Sequence, residues 1–330
     1  MRQTAEDLIE AAAACATREA ADAEDIAAFV VGYLRHLDRS DLAVRHDVDL
    51  AGVALEHRRL AERWQPGETV VSVLNPRAHV DGWESPHSVV MIVTDDVPFL
   101  VSSVTMALAR HGLGIHLVAH PVFRDHRSIG GGFADPVVVE GNGKASVSLM
   151  MVEVDRLADE TAIAALTADL SSVVGDVRTA VEDWQVMREA MVEATEALTG
   201  VHGEDPRHRE AMEFLRWLTD DHFTFLGVRD HELLTENGRR WLRPLDDTGL
   251  GLLRDPAAPL DVLSTDRAVD EEDLAALVSV TKSSHRSRVH RAGFMDQVAI
   301  ARFGSDGAVI GQRRFVGLFS SEAYRRSVVD

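Results

Sequence analysis

An α+β class follows from three features of this 330-residue sequence. Apolar residues recur at helical spacing over the first third. Between residues 87 and 183, short apolar runs alternate with amphipathic stretches in the order β-α-β-β-α-β, a ferredoxin-like arrangement. Beyond residue 208, strand patterns follow a single helix without further regular interleaving, which predicts an antiparallel sheet. The expected division is a helical region over 1–85, the βαββαβ unit with a trailing helix over 86–199, and a second α+β unit over 208–330. With 45% hydrophobic residues the chain can bury two or three cores, since single cores rarely grow past about 250–300 residues.

Thr4 with Asp7 forms a capping pattern ahead of an alanine-rich stretch that runs through Ala21. Ile26, Phe29, Val30, Tyr33, Leu34 and Leu37 repeat at helical spacing, and Leu50, Val53, Ala54 and Leu60 form a further apolar face interrupted by Gly52. The run Thr69 to Leu74 reads as a strand that joins the following sheet. Ser88 to Thr94 is a nearly all-apolar strand. After it, Pro98 suits the first position of a helix that stops at Gly112. Strands are expected at Ile115–Val122 and Val147–Val154, a helix at Asp159–Val173 and a last short strand at Val177–Val181. A loop with Gly130-Gly131-Gly132 and Gly141-Asn142-Gly143 lies between the two middle strands.

A small and polar linker, Gly200 to Arg207, precedes a helix from Glu210 to Asp220. Phe223–Val228, Gln297–Phe303 and Ala308–Phe319 read as strands, the last two joined at Ser305-Asp306-Gly307. Residues 244–273 read as loop with a helix near their end. The sequence shows no terminating element before Asp330, which suggests a truncated chain.

A formal net charge of −20 argues against duplex DNA or an anionic membrane as partner. No apolar run is long enough to span a bilayer, and Met1 to Glu10 lacks a secretory pattern, so the expected compartment is the cytoplasm. One cysteine, Cys15, excludes an internal disulfide and any multi-cysteine metal site. Lys144 and Lys282 are the only lysines, which restricts any lysine chemistry to two positions.

No dinucleotide fingerprint, phosphate loop, zinc-protease or nucleophile-elbow motif is present. Gly249-Leu250-Gly251 fails at the third glycine and reads as an ordinary loop. His116 and His120, four apart on one expected strand, would share a face, but two ligands do not make a metal site. No catalytic residue and no metal site are expected. Two features remain as candidate sites. The first is the strand-to-helix turn Asp95-Asp96-Val97-Pro98-Phe99. It could offer free backbone N–H groups to a ligand carboxylate, or Asp96 could cap those groups itself. The second is a basic run, Lys282, His285, Arg286, Arg288, His290 and Arg291, followed by Arg313, Arg314, Arg325 and Arg326. It reads as an anion site, a docking face for acidic parts of the same polypeptide, or a solvated face.

Three strings give these elements a family. Asp95 to Val104, continuing through His111 to Val122, resembles the N-terminal part of the large bacterial NAD-specific glutamate dehydrogenases. Glu213 to Gly227 and Arg313 to Tyr324 do so as well, in the same order. The resemblance implies an ACT-like domain followed by a further module of ACT or PAS kind. It implies a catalytic domain, with its NAD site and catalytic lysine, outside this chain. Neither Lys144 nor Lys282 sits in a matching context, so no catalytic residue carries over, and NAD is expected in the parent enzyme and not in this chain. The implied role is regulatory or oligomeric, with neighbouring subunits and the rest of the polypeptide as partners. The alternative is an amino-acid-binding sensor. Amino-acid-binding ACT domains place glycine after the turn proline; here Phe99 stands there, which weighs toward assembly.

Overall fold

The computed structural model describes residues 4–18, 22–124, 146–199, 206–255 and 266–320. The glycine loop around 130 and 141, Lys144, Arg325 and Arg326 lie outside them. By its contacts the chain divides into two compact units, Met1–Gly175 and Asp176–Asp330. Among the described residues no helix is long and apolar enough to cross a membrane.

The first unit opens with helices α1 (Ala5–Ala16), α2 (Ala23–Leu34), α3 (Arg39–Leu42) and α4 (Asp47–Arg63). Thr4 and Asp7 form the expected capping box, each side chain accepting from the other's backbone N–H. Strand β1 (Thr69–Leu74), helix α5 (Ala78–Asp81), β2 (Ser88–Asp95), α6 (Leu100–Arg110), β3 (Ile115–Ala119), β4 (Val122–Arg124), β5 (Ser146–Val154) and α7 (Glu160–Glu182) follow. The sheet is antiparallel with order β1-β2-β5-β3, and β4 also pairs with β5.

Both faces of this sheet are covered. Val89, Met91 and Val93 of β2 and Val147, Leu149 and Met151 of β5 share a core with α1, α2 and α4. Val90, Ile92, Met150 and Val152 face α6 and α7. Two buried faces explain the near-continuous apolar run of β2, where a half-solvated antiparallel strand would alternate. The helical start therefore shares a core with the sheet.

The strand expected at Val177–Val181 is helical. Val177 and Ala180 continue the buried series Leu166, Leu170, Val173 and Val174 in α7. The helix runs on through Gly175, because one glycine inside a helix costs about 1 kcal/mol, less than burying a single valine gives. The edge beside β2 that this strand would take is held by β1. The strand expected over Ile115–Val122 is broken into β3 and β4 at His120-Pro121, and α6 starts at Leu100, so Pro98 precedes the helix.

The second unit holds α8 (Trp184–Thr199), α9 (Pro206–Trp217), a π-turn (Leu218–His222), and strands β6 (Phe223–Glu236), β7 (Arg239–Pro244), β8 (Leu250–Gly251) and β9 (Arg267–Val269). The short α10 (Glu271–Ala275) and β10 (Val278–Arg286), β11 (Phe294–Phe303) and β12 (Val309–Phe319) complete it. Its antiparallel sheet runs β10-β11-β12-β6-β7-β9, with β8 also beside β6. Met187, Met191 and Leu198 of α8 and Leu215 of α9 pack on Val228, Val298, Ile300 and Phe315. The trailing helix expected to close the middle unit thus contributes its apolar stripe to this core. Ser305-Asp306-Gly307 makes the expected hairpin, with Gly307 at φ 77°.

Candidate functional site

The turn after β2 is shaped by its own backbone. Asp96 donates its N–H to Ser146 O at 3.0 Å, which extends the β2–β5 ladder past Asp95. The Asp95 carboxylate accepts from Gly67 N at 3.0 Å. Phe99 then adopts φ 68°, a left-handed conformation that costs a side-chain-bearing residue roughly 1–2 kcal/mol. The chain therefore takes the path that suits glycine while carrying a half-buried aromatic ring. Phe99 O collects three donors: Ser103 N at 3.0 Å, Ser103 Oγ at 2.7 Å and Ser102 Oγ at 3.1 Å. Among the described residues no side-chain cap bond is made at the start of α6, so the capping role weighed for Asp96 is not the one it plays; its carboxylate is exposed. Pro98 is exposed beside it.

His120 lies at the same end of the sheet, its Nε2 2.6 Å from Ser148 Oγ. Burial lowers its pKa, and the Asp96 carboxylate opposes that shift. His116 belongs elsewhere. Its Nε2 meets Asp155 Oδ1 at 2.7 Å, and its ring stacks on His87 with centroids 3.9 Å apart. Asp155 also accepts from Gly114 N at 2.7 Å, and that bond, followed by His116, holds its carboxyl below the usual range. Burial, followed by His116, lowers His87. The two histidines expected on one face serve separate clusters, because the β3–β5 register shifts between Ile115 and Leu117 and His120 lies past the end of β3. Among the described residues no group of three or more histidine, cysteine or carboxylate side chains is placed to hold a metal.

Several members of the basic run are engaged with partners inside the second unit. Lys282 pairs with the buried Asp296 at 2.5 Å, Arg288 with Asp176 at 3.3 Å, and Arg286 stacks on the Phe294 ring at 4.6 Å. Arg291 donates to Phe319 O at 2.5 Å. His290 takes φ 70°, and burial, followed by Arg291, lowers its pKa. Arg313 and Arg314, adjacent on β12, project to opposite faces. Arg313 grips the buried Asp230 through two bonds of 2.7 and 3.1 Å, and that pairing raises its pKa. Arg314 donates to Gln312 at 3.1 Å and lies opposite Arg229 in the register. Gly249 precedes β8 and Gly251 ends it, a stretch clamped by the Asp183 carboxylate, which accepts from Gly251 N at 2.7 Å and binds Arg254.

With this geometry in place, the comparisons are direct. Residues 29–170 match the family model of the glutamate dehydrogenase ACT1 domain. An NAD-specific glutamate dehydrogenase of Halomonas elongata is 35% identical over 297 residues, 87% of this chain and 18% of the relative. The enzyme of Pseudomonas aeruginosa is 35% identical over 312 residues, 92% of this chain and 19% of the relative. The Mycobacterium tuberculosis protein of the same name is 27% identical over 284 residues. The chain belongs to the NAD-specific glutamate dehydrogenase family. It spans less than a fifth of the length of these curated relatives.

The ACT1 match covers the sheet of the first unit together with the second half of α2, all of α3 and α4, and the first half of α7. Within it lies an ion pair that sequence reading missed, between Arg45 and Glu153. Its signal was available: Glu153 is the single charged residue of the buried strand β5, and a carboxylate there needs a partner. Arg229 in the second unit was missed as well. Its side chain is fully buried, with one bond to Leu253 O and, among the described residues, no hydrogen-bond partner at Nε or Nη1.

Proposed function

We propose that this chain is a non-catalytic, N-terminal regulatory and assembly segment of an NAD-dependent glutamate dehydrogenase. The parent enzyme would interconvert glutamate and 2-oxoglutarate in the cytoplasm, with NAD bound outside this segment. The ACT1 match inside a chain that aligns to less than a fifth of its relatives carries the reading. On this view the first unit is ACT-like, the second an antiparallel sensor-type module of ACT or PAS kind. Neighbouring subunits and the rest of the polypeptide are the partners.

Assembly is favoured over ligand sensing at the strand-to-helix turn by Phe99, whose half-buried ring stands where a ligand would need a bare backbone. The sensor reading keeps one supporting observation, the uncapped N-terminus of α6 beside the exposed Asp96 carboxylate. Sedimentation velocity on the isolated chain, with an assay for glutamate-dependent NAD reduction, separates the outcomes. The proposal expects self-association and no turnover; turnover by this chain would overturn it. Ligand-dependent stabilisation abolished by Asp96→Ala would instead favour the sensor at the turn.

A further inference from the structure

The first unit contains a pocket of about 360 Å³ bounded by the start of α4, β3, β5 and the segment Trp83–Pro86. That volume is at the small end of small-molecule sites. Leu50, Val53, Trp83, Leu117 and Met151 supply an apolar wall. The charged lining is three carboxylates, Asp49, Glu84 and Glu153, and one guanidinium, Arg45, which leaves two negative charges uncompensated.

The four charges are not equivalent. Glu153 is 5% exposed, paired with Arg45, and approached by Ser85 Oγ at 3.4 Å, so it is satisfied within the chain. Asp49 Oδ1 accepts from Glu84 N at 2.8 Å, and among the described residues no cation pairs with the Asp49 or Glu84 carboxylate. The free N–H groups in the first turn of α4 favour an anion at Asp49. Glu84 has no such support. The segment that carries Glu84 is fixed in place, because Arg156 donates to Ser85 O at 2.8 Å. Trp83 reaches the wall because residue 52 is glycine: a Cβ there would lie 2.3 Å from the Trp83 Cβ and Cγ.

We infer that this pocket binds a short aliphatic diamine. The two carboxylates without a cation match two ammonium groups, each of which brings three donors and no acceptor. Alkyl ammonium groups stay charged at neutral pH, as a lysine side chain does. The methylene stem lies on the aliphatic wall, as a lysine stem covers apolar surface while its head stays polar. The Trp83 indole offers its π face to the adjoining charge. A formal net charge of −20 draws a dication toward the chain. An anionic ligand would meet the same two carboxylates and be repelled. The site lies within the first unit, and its test does not depend on the regulatory reading of the whole segment.

Calorimetric titration of the whole 330-residue chain with putrescine and cadaverine tests this. The salt is set to about 0.15 M, where attraction between exposed charges beyond about 8 Å is largely screened. Butylamine, with the same stem and one charge, is the comparison ligand. A single saturable site is expected for at least one diamine, with butylamine weaker by about tenfold or more, the scale of a lost charge-assisted bond. Glu84 is exposed, so Glu84→Gln should fold as the parent chain does and weaken the diamine by a similar factor. Asp49→Asn keeps an oxygen for the Glu84 N–H and should act alike. Asp96→Asn, an equal change of charge at the exposed strand-to-helix turn, should bind as the parent chain does. Absence of saturable binding by both diamines into the millimolar range would overturn the inference. So would equal binding of butylamine. A loss in Asp96→Asn as large as in Glu84→Gln would also overturn it, because the attraction would then be a diffuse property of an acidic chain.

Discussion

Residue His57 of α4 is buried beneath the sheet, and acid should destabilise the first unit through it. Its Nε2 faces Ile92 O at 3.2 Å and its Nδ1 faces Tyr33 Oη at 2.8 Å. A carbonyl can only accept, so Nε2 carries the proton and Nδ1 accepts from the tyrosine hydroxyl. A second proton would have to displace that hydroxyl and bring charge into the core, and burial pushes the pKa from 6.5 down to about 3. The folded value lies below the unfolded one, so the unfolded chain takes up the proton first. The stability this group confers is complete above pH 6.5 and is lost as the pH falls toward 3. Between pH 8 and pH 5 the loss is about 1.36 kcal/mol for each of roughly 1.5 units, near 2 kcal/mol. That magnitude holds for any folded pKa below about 4. In His57→Gln an amide replaces both hydrogen-bonding roles and cannot be protonated. Hydrogen exchange of the β2 and β5 amides at the two pH values reads the first unit alone. The variant should lose about 2 kcal/mol less than the parent chain over this interval. Equal losses in the two proteins would refute the reasoning, because His57 would then titrate alike in the folded and unfolded chains.

Three further outcomes follow from close contacts and buried charges. Gly52→Ala forces Trp83 aside and should cost roughly 1–3 kcal/mol, with a shift in tryptophan emission, because the clash is with atoms close to the Trp83 backbone. Asp230→Ala leaves Arg313 without its bidentate partner and should destabilise the second unit by about 3–5 kcal/mol, read by hydrogen exchange in β6 and β12. Arg229→Met removes a buried guanidinium that has no partner at Nε and Nη1. Its thermal midpoint should stay level or rise, and a clear fall would show that the Leu253 bond outweighs the burial of that charge.

What the sequence made legible was what local pattern controls. The run Ser88 to Thr94 announced a strand, and Thr4 with Asp7 announced the start of α1, since each signal sits within a few residues. The strand expected at Val177–Val181 failed because Val173, Val174 and Val177 continue one buried helical face, which a short apolar run does not reveal by itself. The strand β10 was hidden in the basic run: its side chains are largely polar and exposed, and its pairing with β11 is a long-range fact. The same distance hid the ion pair of the first unit. Arg45 and Glu153 are 108 residues apart, and only a folded sheet brings β5 against the start of α4. His116 and His120 were read as neighbours by period two, but a register shift and the end of β3 part them.

The most direct test of the regulatory reading is deletion of this segment from a full-length family member, followed by glutamate-dependent NAD reduction and sedimentation of the product. The account predicts that the shortened enzyme still turns over, with its state of assembly or its dependence on glutamate changed. Complete loss of turnover in a protein that still folds and assembles as before would contradict it, because the segment would then hold part of the catalytic machinery.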